Sequence, residues 1–564
     1  MLEAIQAALS PDESEQTKLA TDLASLHNEG LVDLIDAFAG LTGESTPGPD
    51  FFFLRHVLEE LLPELEAPVP KVSRCVLHLY REGGADWAAG TILNAFRDFC
   101  AKRADRSQAA LAEIEGSPEV LADLLVSVLV AGSVLDPPTY VVETIRLSQD
   151  ASIDLRRRAL FALGRLHGGQ VVWSDENVMR ALEHAVEVEG DGRVLASCIQ
   201  SAFALSRHDP ANEARWLAVI ASALSKGGEI ALHAASEVFG LETREVSPEL
   251  VQLLLEHWAH VDPSNTRTLK NIDRGVAHLL QGNHVEAGLG FLEDLLRAHP
   301  EEIELSAFRD SVRAIRDNPA FRSKIATRWL IGGEAALCKG LDSIVDVPAG
   351  GSLEIEGDSG ELVGVDRIRL VFAARKAIGY LFQQPISATS FLLSLMRQSP
   401  DARTRKELEA LLLNPLLLNL GGSVAEYVAR RAEAEGGEIK AALDRALKAL
   451  ENYIEALRSV GEIPAFHPSL EHRDAYHRHF SEKVAQSFKK AEAESVLLQL
   501  VHRSVLLYGR KAIHHVFGAE GEIHRMETQL GSHGTEIEVP RMMILDPHGL
   551  DFMLRVFRHE RMSL

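Results

Sequence analysis

Residues 150–166 read DASIDLRRRALFALGRL, residues 191–206 read DGRVLASCIQSAFALS, and residues 226–240 read KGGEIALHAASEVFG. In each, apolar residues return at three- and four-residue spacing, the period of a helix with one buried face. Alanines run down that face, and the stretches end in Leu-Gly, Leu-Ser and Phe-Gly. Leu163 to Leu205 is 42 residues, and Leu205 to Phe239 is 34. A recurrence of about 34–47 residues with two helices per unit is the spacing of helical solenoids. Small side chains on the shared face let the next helix pair approach closely.

The same helical period continues outward in both directions. Ser117-Pro118-Glu119 and Ser247-Pro248-Glu249 each place a side-chain acceptor before a helix, proline at its first position and an acid in its first turn. Asp136-Pro137-Pro138 and Asp209-Pro210 punctuate further. The pairs Gly83-Gly84, Gly168-Gly169, Gly227-Gly228 and Gly436-Gly437 sit where helical patterns stop, as glycine does at helix ends. Connections are mostly a few residues long, which sets successive helices antiparallel.

The stretch Asp150–Leu166, with Arg157, Ala159, Ala162 and Leu163-Gly164, resembles the second helix of a HEAT-type repeat. The resemblance covers about three units, roughly residues 137–260. It implies an elongated α-solenoid with a concave partner-binding surface, and it implies no chemistry. An irregular helical bundle with alanine-rich packing accounts for the same residues. The expected fold is predominantly all-α. Residues 1–340 form an acidic HEAT-like solenoid, residues 341–373 a small β-hairpin or meander insertion, and residues 374–564 a C-terminal helical domain.

The insertion is read from residues 344–372, IVDVPAGGSLEIEGDSGELVGVDRIRLVF. Leu353 and Ile355, then Leu362, Val363 and Val365, then Ile368, Leu370 and Phe372 alternate around Gly357-Asp358-Ser359-Gly360, the pattern of a hairpin with a polar turn. Glu536–Leu545, EIEVPRMMIL, is a second candidate strand. An isolated hairpin is marginal in water, so these two segments are expected to pair.

Across 564 residues there are 82 acidic and 58 basic side chains, a net charge of −24. Residues 1–300 hold 45 acids and 24 bases, whereas residues 301–564 hold 37 and 34. The first 50 residues carry ten acids and a single base, Lys18. Such asymmetry points to different partners for the two halves. An acidic half repels phosphate backbones and attracts a basic protein. Nucleic acid is therefore expected, if at all, only at residues 374–564.

The hydrophobic fraction of 46 % excludes a disordered chain. The N-terminus, MLEAIQAALSPDESEQ, lacks the basic and apolar regions of a secretory signal. Val120–Leu135 has 16 residues and contains Asp123, so it reads as a buried helix and not a membrane span. Cys75, Cys100, Cys198 and Cys338 form no CxxC pair, which argues for buried, reduced thiols in a cytoplasmic protein. Usage rich in Ala, Leu, Gly and Arg is that of a GC-rich bacterial genome.

Residues 466–480, FHPSLEHRDAYHRHF, hold a compact set of potential ligands. His472, Asp474 and His479 are the candidate metal ligands, being of the types that suit zinc. On a helix His472 and His479 share a face two turns apart, but His477 points elsewhere, and no HExxH spacing is present. There is no P-loop, dinucleotide fingerprint, GxSxG elbow or kinase signature, and no cofactor is expected. Arg473, Arg478, Lys489, Lys490, Arg503, Arg510 and Lys511 are the candidate contacts to nucleic acid or to a partner, with Tyr476, Phe480, Phe488 and Tyr508 interleaved. The expected function is that of a non-enzymatic scaffold, a helical-repeat subunit of a cytoplasmic assembly. The alternatives are a nucleic-acid-associated factor acting through the C-terminal half and a metal-dependent hydrolase.

Overall fold

Helices dominate the computed structural model. It describes residues 13–43, 49–84, 90–167, 175–242, 246–347, 353–399, 401–461, 468–495, 511–517, 523–529 and 538–562, and positions 5, 172 and 463. The chain divides into two compact units, Met1–Arg322 and Ser323–Leu564. The first holds 50 acidic and 28 basic residues, the second 32 and 30. The charge step seen along the sequence therefore falls on a structural boundary.

The first unit contains α1 (Glu13–Asn28), α2 (Leu34–Ala39), α3 (Pro49–Leu61), α4 (Val69–Glu82), α5 (Thr91–Ala101), α6 (Ala104–Gly116), α7 (Leu125–Leu135), α8 (Pro137–Leu147) and α9 (Ile153–Leu163). It continues with α10 (Glu176–Val188), α11 (Gly192–Ser206), α12 (Glu213–Glu242), α13 (Pro248–Trp258), α14 (Thr266–Gln281), α15 (Val285–Ala298) and α16 (Arg309–Arg316). α12 is two helices meeting at Gly228, whose φ of +57° and ψ of −151° suit glycine alone. This is one of the stops read from the Gly-Gly pairs. Of the two Ser-Pro starts, Ser247 accepts the Leu250 N–H at 3.3 Å, whereas Ser117 makes no side-chain cap.

The small-residue helices pack on one another in succession: α5 on α7, α7 on α9, α9 on α11, α11 on α12, α12 on α14 and α14 on α16. Their contact is intimate because the facing residues are small. A Cβ on Gly164 would lie 2.7 Å from the Ser201 backbone, and one on Gly240 would lie 2.9 Å from the Asn271 carbonyl. Ala159, Ala162 and Ala202 are fully buried at these junctions. Ser201 Oγ donates to the Leu160 carbonyl at 2.6 Å and accepts the Gly164 N–H at 3.2 Å. A serine at the seam thus satisfies the carbonyls and amides where one helix ends against the next.

A sequence interval recurs through these ties. Among the described residues of the first unit, some side-chain hydrogen bonds bridge a turn, over six or seven residues. Many others join residues 31 to 41 apart, from Asn28 with Glu64 and Ser127 with Leu93 to His233 with Thr268 and Ser311 with Asp273.

The second unit contains most of α17 (Pro319–Gly332), then α18 (Ala335–Val345), α19 (Arg367–Leu381), α20 (Pro385–Gln398), α21 (Ala402–Leu411), α22 (Ser423–Ala434), α23 (Gly437–Val460), α24 (Leu470–Glu494), α25 (Arg541–Leu545) and α26 (Pro547–His559). Strands β1 (Lys511–Phe517) and β2 (Ile523–Gln529) form an antiparallel ladder, with Lys511 opposite Gln529 and Phe517 opposite Ile523. The five residues of sequence between them include Gly518 and Gly521, a hairpin signal that the sequence reading passed over.

The expected hairpin over 352–372 is not formed. Residues 353–358 belong to no helix or strand, residues 359–364 are turns, and Ile368, Leu370 and Phe372 belong to α19. This segment pairs with a helix and not with a strand. The Ile355 N–H donates to Ser390 Oγ at 2.9 Å, the Gly357 N–H to Ser394 Oγ at 2.8 Å, and Ser387 Oγ donates to the Leu353 carbonyl at 2.5 Å. Gln398 Nε2 donates to the Gly357 carbonyl at 2.8 Å. These four side chains lie along α20. Ile355 and Gly357 face the core, while Glu354 and Glu356 turn outward to Arg431 and Arg397. The period-two alternation was therefore real, but it reports alternate burial of a segment laid along a helix, not a strand neighbour.

The second expected strand is also overturned. Positions 536 and 537 lie outside the described residues, and Arg541–Leu545 is helical. Glu538 instead caps α22: its carboxylate accepts the Gly422 N–H at 2.6 Å, the Ser423 N–H at 2.8 Å and the Ser423 hydroxyl at 2.6 Å. Met542 N–H donates to Asn419 Oδ1 at 2.9 Å just beyond.

Candidate interaction surfaces

α24 carries most of the residues singled out from sequence. Its N-cap is Ser469, whose hydroxyl accepts the His472 N–H at 3.2 Å. The helix is exposed along its described length. His472, Asp474, His479, Arg473, Arg478, Lys489 and Lys490 all face solvent. Among the described residues no three His, Cys, Asp or Glu side chains are grouped to hold a metal ion. The structure thus does not bring His472, Asp474 and His479 together as a ligand set. The two-residue spacing sets Asp474 about 200° from His472, off the face that His472 and His479 share.

The same helix exposes apolar side chains. Tyr476 is 64 % exposed, Phe480 57 % and Phe488 66 %; Tyr476 and Phe480, four residues apart, share a side of the helix, and Phe488 lies about 120° round from Tyr476. Tyr476 and Phe480 stack with ring centroids 6.5 Å apart. At 100° per residue Arg473 and Lys490 lie on the side of Tyr476 and Phe480, while Arg478 and Lys489 lie on the opposite side of the helix. Arg503, Arg510 and Tyr508 lie outside the described residues. Lys511 is the first residue of β1.

Other titratable groups are held inside the fold by packing. The four cysteines are buried and unpaired, and burial pushes each thiol up to about 12. A thiol that stays protonated is a poor nucleophile and a poor metal ligand, so these act as small apolar side chains. Lys376 is 1 % exposed; it lies over the Phe372 ring at 5.0 Å and donates to the Arg558 carbonyl at 2.5 Å. Burial lowers its pKa from the ordinary lysine value. Arg558 Nε in turn donates to the Gly379 carbonyl at 2.6 Å, and Arg375 pairs with Glu560 at 2.7 Å. This cluster has a structural task, which is to hold α26 against α19.

Asp273 is another buried acid with a structural task. Its carboxylate accepts the Asp310 N–H at 2.9 Å and the Ser311 N–H at 2.8 Å, capping α16 from a neighbouring helix. Burial nevertheless raises its pKa above the usual carboxylate value.

By length and composition Pro118–Leu135 is apolar enough to cross a membrane, and 56 % of it is buried inside the fold. Leu124, Leu125, Val128 and Leu129 are fully covered, as a core helix requires.

The surfaces that distinguish the molecule are thus the acidic first unit, with its repeating helix contacts, and the exposed basic and aromatic helix α24. Neither a family model nor a curated protein matches the chain.

Proposed function

We propose that the chain is a non-enzymatic scaffold, a HEAT-like helical-repeat solenoid that binds a basic protein partner as a subunit of a cytoplasmic assembly. The observation that supports it most is the recurring interval of 31 to 41 residues between tied side chains in the first unit. In a bundle with crossover connections, helices distant in sequence meet, and such intervals scatter. In a solenoid each unit touches only its neighbours, so the interval repeats. The excess of acids on that same unit, 50 against 28 bases, favours a basic partner and speeds its approach. Buried, unpaired cysteines agree with a reducing compartment.

The test is to purify the tagged full-length chain with its bound material and identify the protein and nucleic acid it retains. The reading expects a basic protein whose association slows at least about tenfold when salt rises from about 0.05 to 0.5 M. An association rate indifferent to salt counts against the electrostatic part.

A second reading rests on α24, where Arg473 and Lys490 lie on the side that exposes Tyr476 and Phe480. Aromatics beside cations are what single-stranded nucleic acid requires. Binding of a labelled oligonucleotide that disappears in a variant with Tyr476→Ala and Phe480→Ala supports this reading. No binding at low salt removes it.

A further inference from the structure

Many side-chain ties of the second unit join residues 31 to 41 apart, from Thr327 with Asp358 to Arg397 with Glu356. Residues 538–562 depart from that interval. They reach residues 419–423 over 115 to 123 positions of sequence, and α19 over 178 to 185. Where helices tie mainly to their sequence neighbours, a segment laid across two of them out of order occupies their surface as a ligand would.

The contacts themselves are of the kind that grips a peptide. The Glu538 carboxylate sits on the Gly422 and Ser423 N–H groups, and Asn419 Oδ1 takes the Met542 N–H. Lys376 Nζ and Tyr380 Oη both donate to the Arg558 carbonyl. Lys376 is 1 % exposed, so a buried cation of α19 is matched to an acceptor that the segment supplies. Little apolar burial holds the segment. Pro540, Leu550 and Leu554 are buried, while Met543, Ile544, Leu545 and Phe552 are between 54 and 74 % exposed. An element with few buried apolar side chains opens locally at low cost.

We infer that Asn419, Gly422 and Ser423, leading into α22, form with Lys376, Gly379 and Tyr380 of α19 a peptide-binding surface that the chain's own C-terminal segment covers at rest. The partner that displaces it is an acidic-headed helical segment. It brings a carboxylate for the two N–H groups, a free backbone N–H four residues on, and a helix end whose carbonyl meets Lys376. A second acid two residues beyond that carbonyl replaces Glu560 on Arg375. Charge favours such an occupant, because the surface offers a helix N-terminus, Lys376 and Arg375. A segment led by a basic residue is repelled. The surface therefore selects a partner opposite in charge to the one proposed for the first unit, and the inference does not rest on that reading.

The experiment uses the full-length chain and a fluorescein-labelled peptide of residues 538–562, followed by anisotropy. In a release variant, Glu538→Lys with Glu560→Lys, the tethered segment loses both carboxylates and the surface stands open. The peptide is expected to bind this variant at least about tenfold more tightly than the parent, where the tethered copy competes at high effective concentration. Adding Gly379→Val to the release variant is expected to abolish binding, because the atoms nearest a Cβ there, at 3.2 Å, all belong to Phe557 and Arg558 of the segment. A peptide carrying Glu538→Lys is expected to bind the release variant at least about tenfold more weakly than the unaltered peptide. Equal binding to parent and release variant, or no binding to either, overturns the inference. So does binding that Gly379→Val or the altered peptide leaves unchanged. Should circular dichroism show the release variant unfolded, hydrogen exchange of the unmodified chain decides. The amides of α26 are expected to exchange at least about tenfold faster than those of α19, through an opening that leaves α19 closed. A common rate for both helices makes the segment an integral part of the core and overturns the inference.

Discussion

The serines of α20 show how much a single side chain decides. Ser390 and Ser394 are 3 % exposed, and each supplies the sole side-chain acceptor shown for a buried backbone N–H of residues 353–358. Ser394→Ala leaves the Gly357 N–H buried without it. The cost is about 1–3 kcal/mol, to be read as a lower denaturant midpoint with an unchanged slope. Thr389, on the same helix, is the opposite case: it is fully buried and its hydroxyl has no partner. Thr389→Val keeps the shape and removes the unsatisfied group, so the chain should gain about 1 kcal/mol in the same measurement. Gly228→Ala forces a side chain into a backbone region that only glycine tolerates. It should cost about 1–3 kcal/mol, and thermal unfolding of the first unit's helices should shift downward.

At the scale of elements, the C-terminal segments are tied back by capping and close approach. Burial opposes ionisation of Glu538, but the hydrogen bonds from Ser423 and Gly422, with Arg541 nearby, outweigh it and hold the carboxyl below the usual range. A depressed folded-state pKa contributes stability that is present above the unfolded value of about 4.3 and is lost as pH falls through the folded value. Glu538→Gln should therefore weaken the cap by about 1 kcal/mol at neutral pH, and the difference from the parent should vanish in acid. Hydrogen exchange at Gly422 and Ser423, measured at both pH values, reads it directly. The α26 helix lies so close to α19 that a Cβ on Gly379 would sit 3.2 Å from the Arg558 backbone. Gly379→Val should push α26 away and expose residues 538–562 to limited proteolysis, with the first unit unaffected.

Both misread segments teach the same point about elements. Alternation at 353–357 was legible because buried and exposed positions do alternate there. The partner was not legible, because Ser387, Ser390 and Ser394 lie more than 30 residues away and read as ordinary helix residues. In α19, Leu370, Val371, Phe372, Ala373 and Ala374 are all buried, so every second position looks apolar on a helix covered on all sides. A short apolar run carries no period that separates the two structures.

At the scale of the molecule, charge divides the two units but the tie interval does not: ties 36 and 40 residues apart occur in the second unit too, between Arg445 and Glu409 and between Arg367 and Glu407. The first unit holds the excess of acids, 50 against 28 bases. Its association with a basic partner should weaken steeply with salt, whereas any contact made through α24 should respond to aromatic substitution as well. Comparing the salt dependence of the parent with that of Tyr476→Ala, Phe480→Ala separates the two surfaces in one series of binding measurements.

The sequence by itself determined that the chain is helical, where many of its helices stop, and how its charge divides. Those properties depend on residues within a turn or two of one another, or on composition alone. It also placed Ala159, Ala162 and Leu163-Gly164 at a helix junction, since small residues at helical spacing have few other uses. Only the tertiary structure decided that residues 353–358 lie along serines of α20 and that Glu538 caps a helix more than a hundred residues earlier. Each of these joins side chains whose separation along the chain carries no local signal. Their meeting depends on which helices pack, and that is settled by burial of the whole apolar face and not by any one residue.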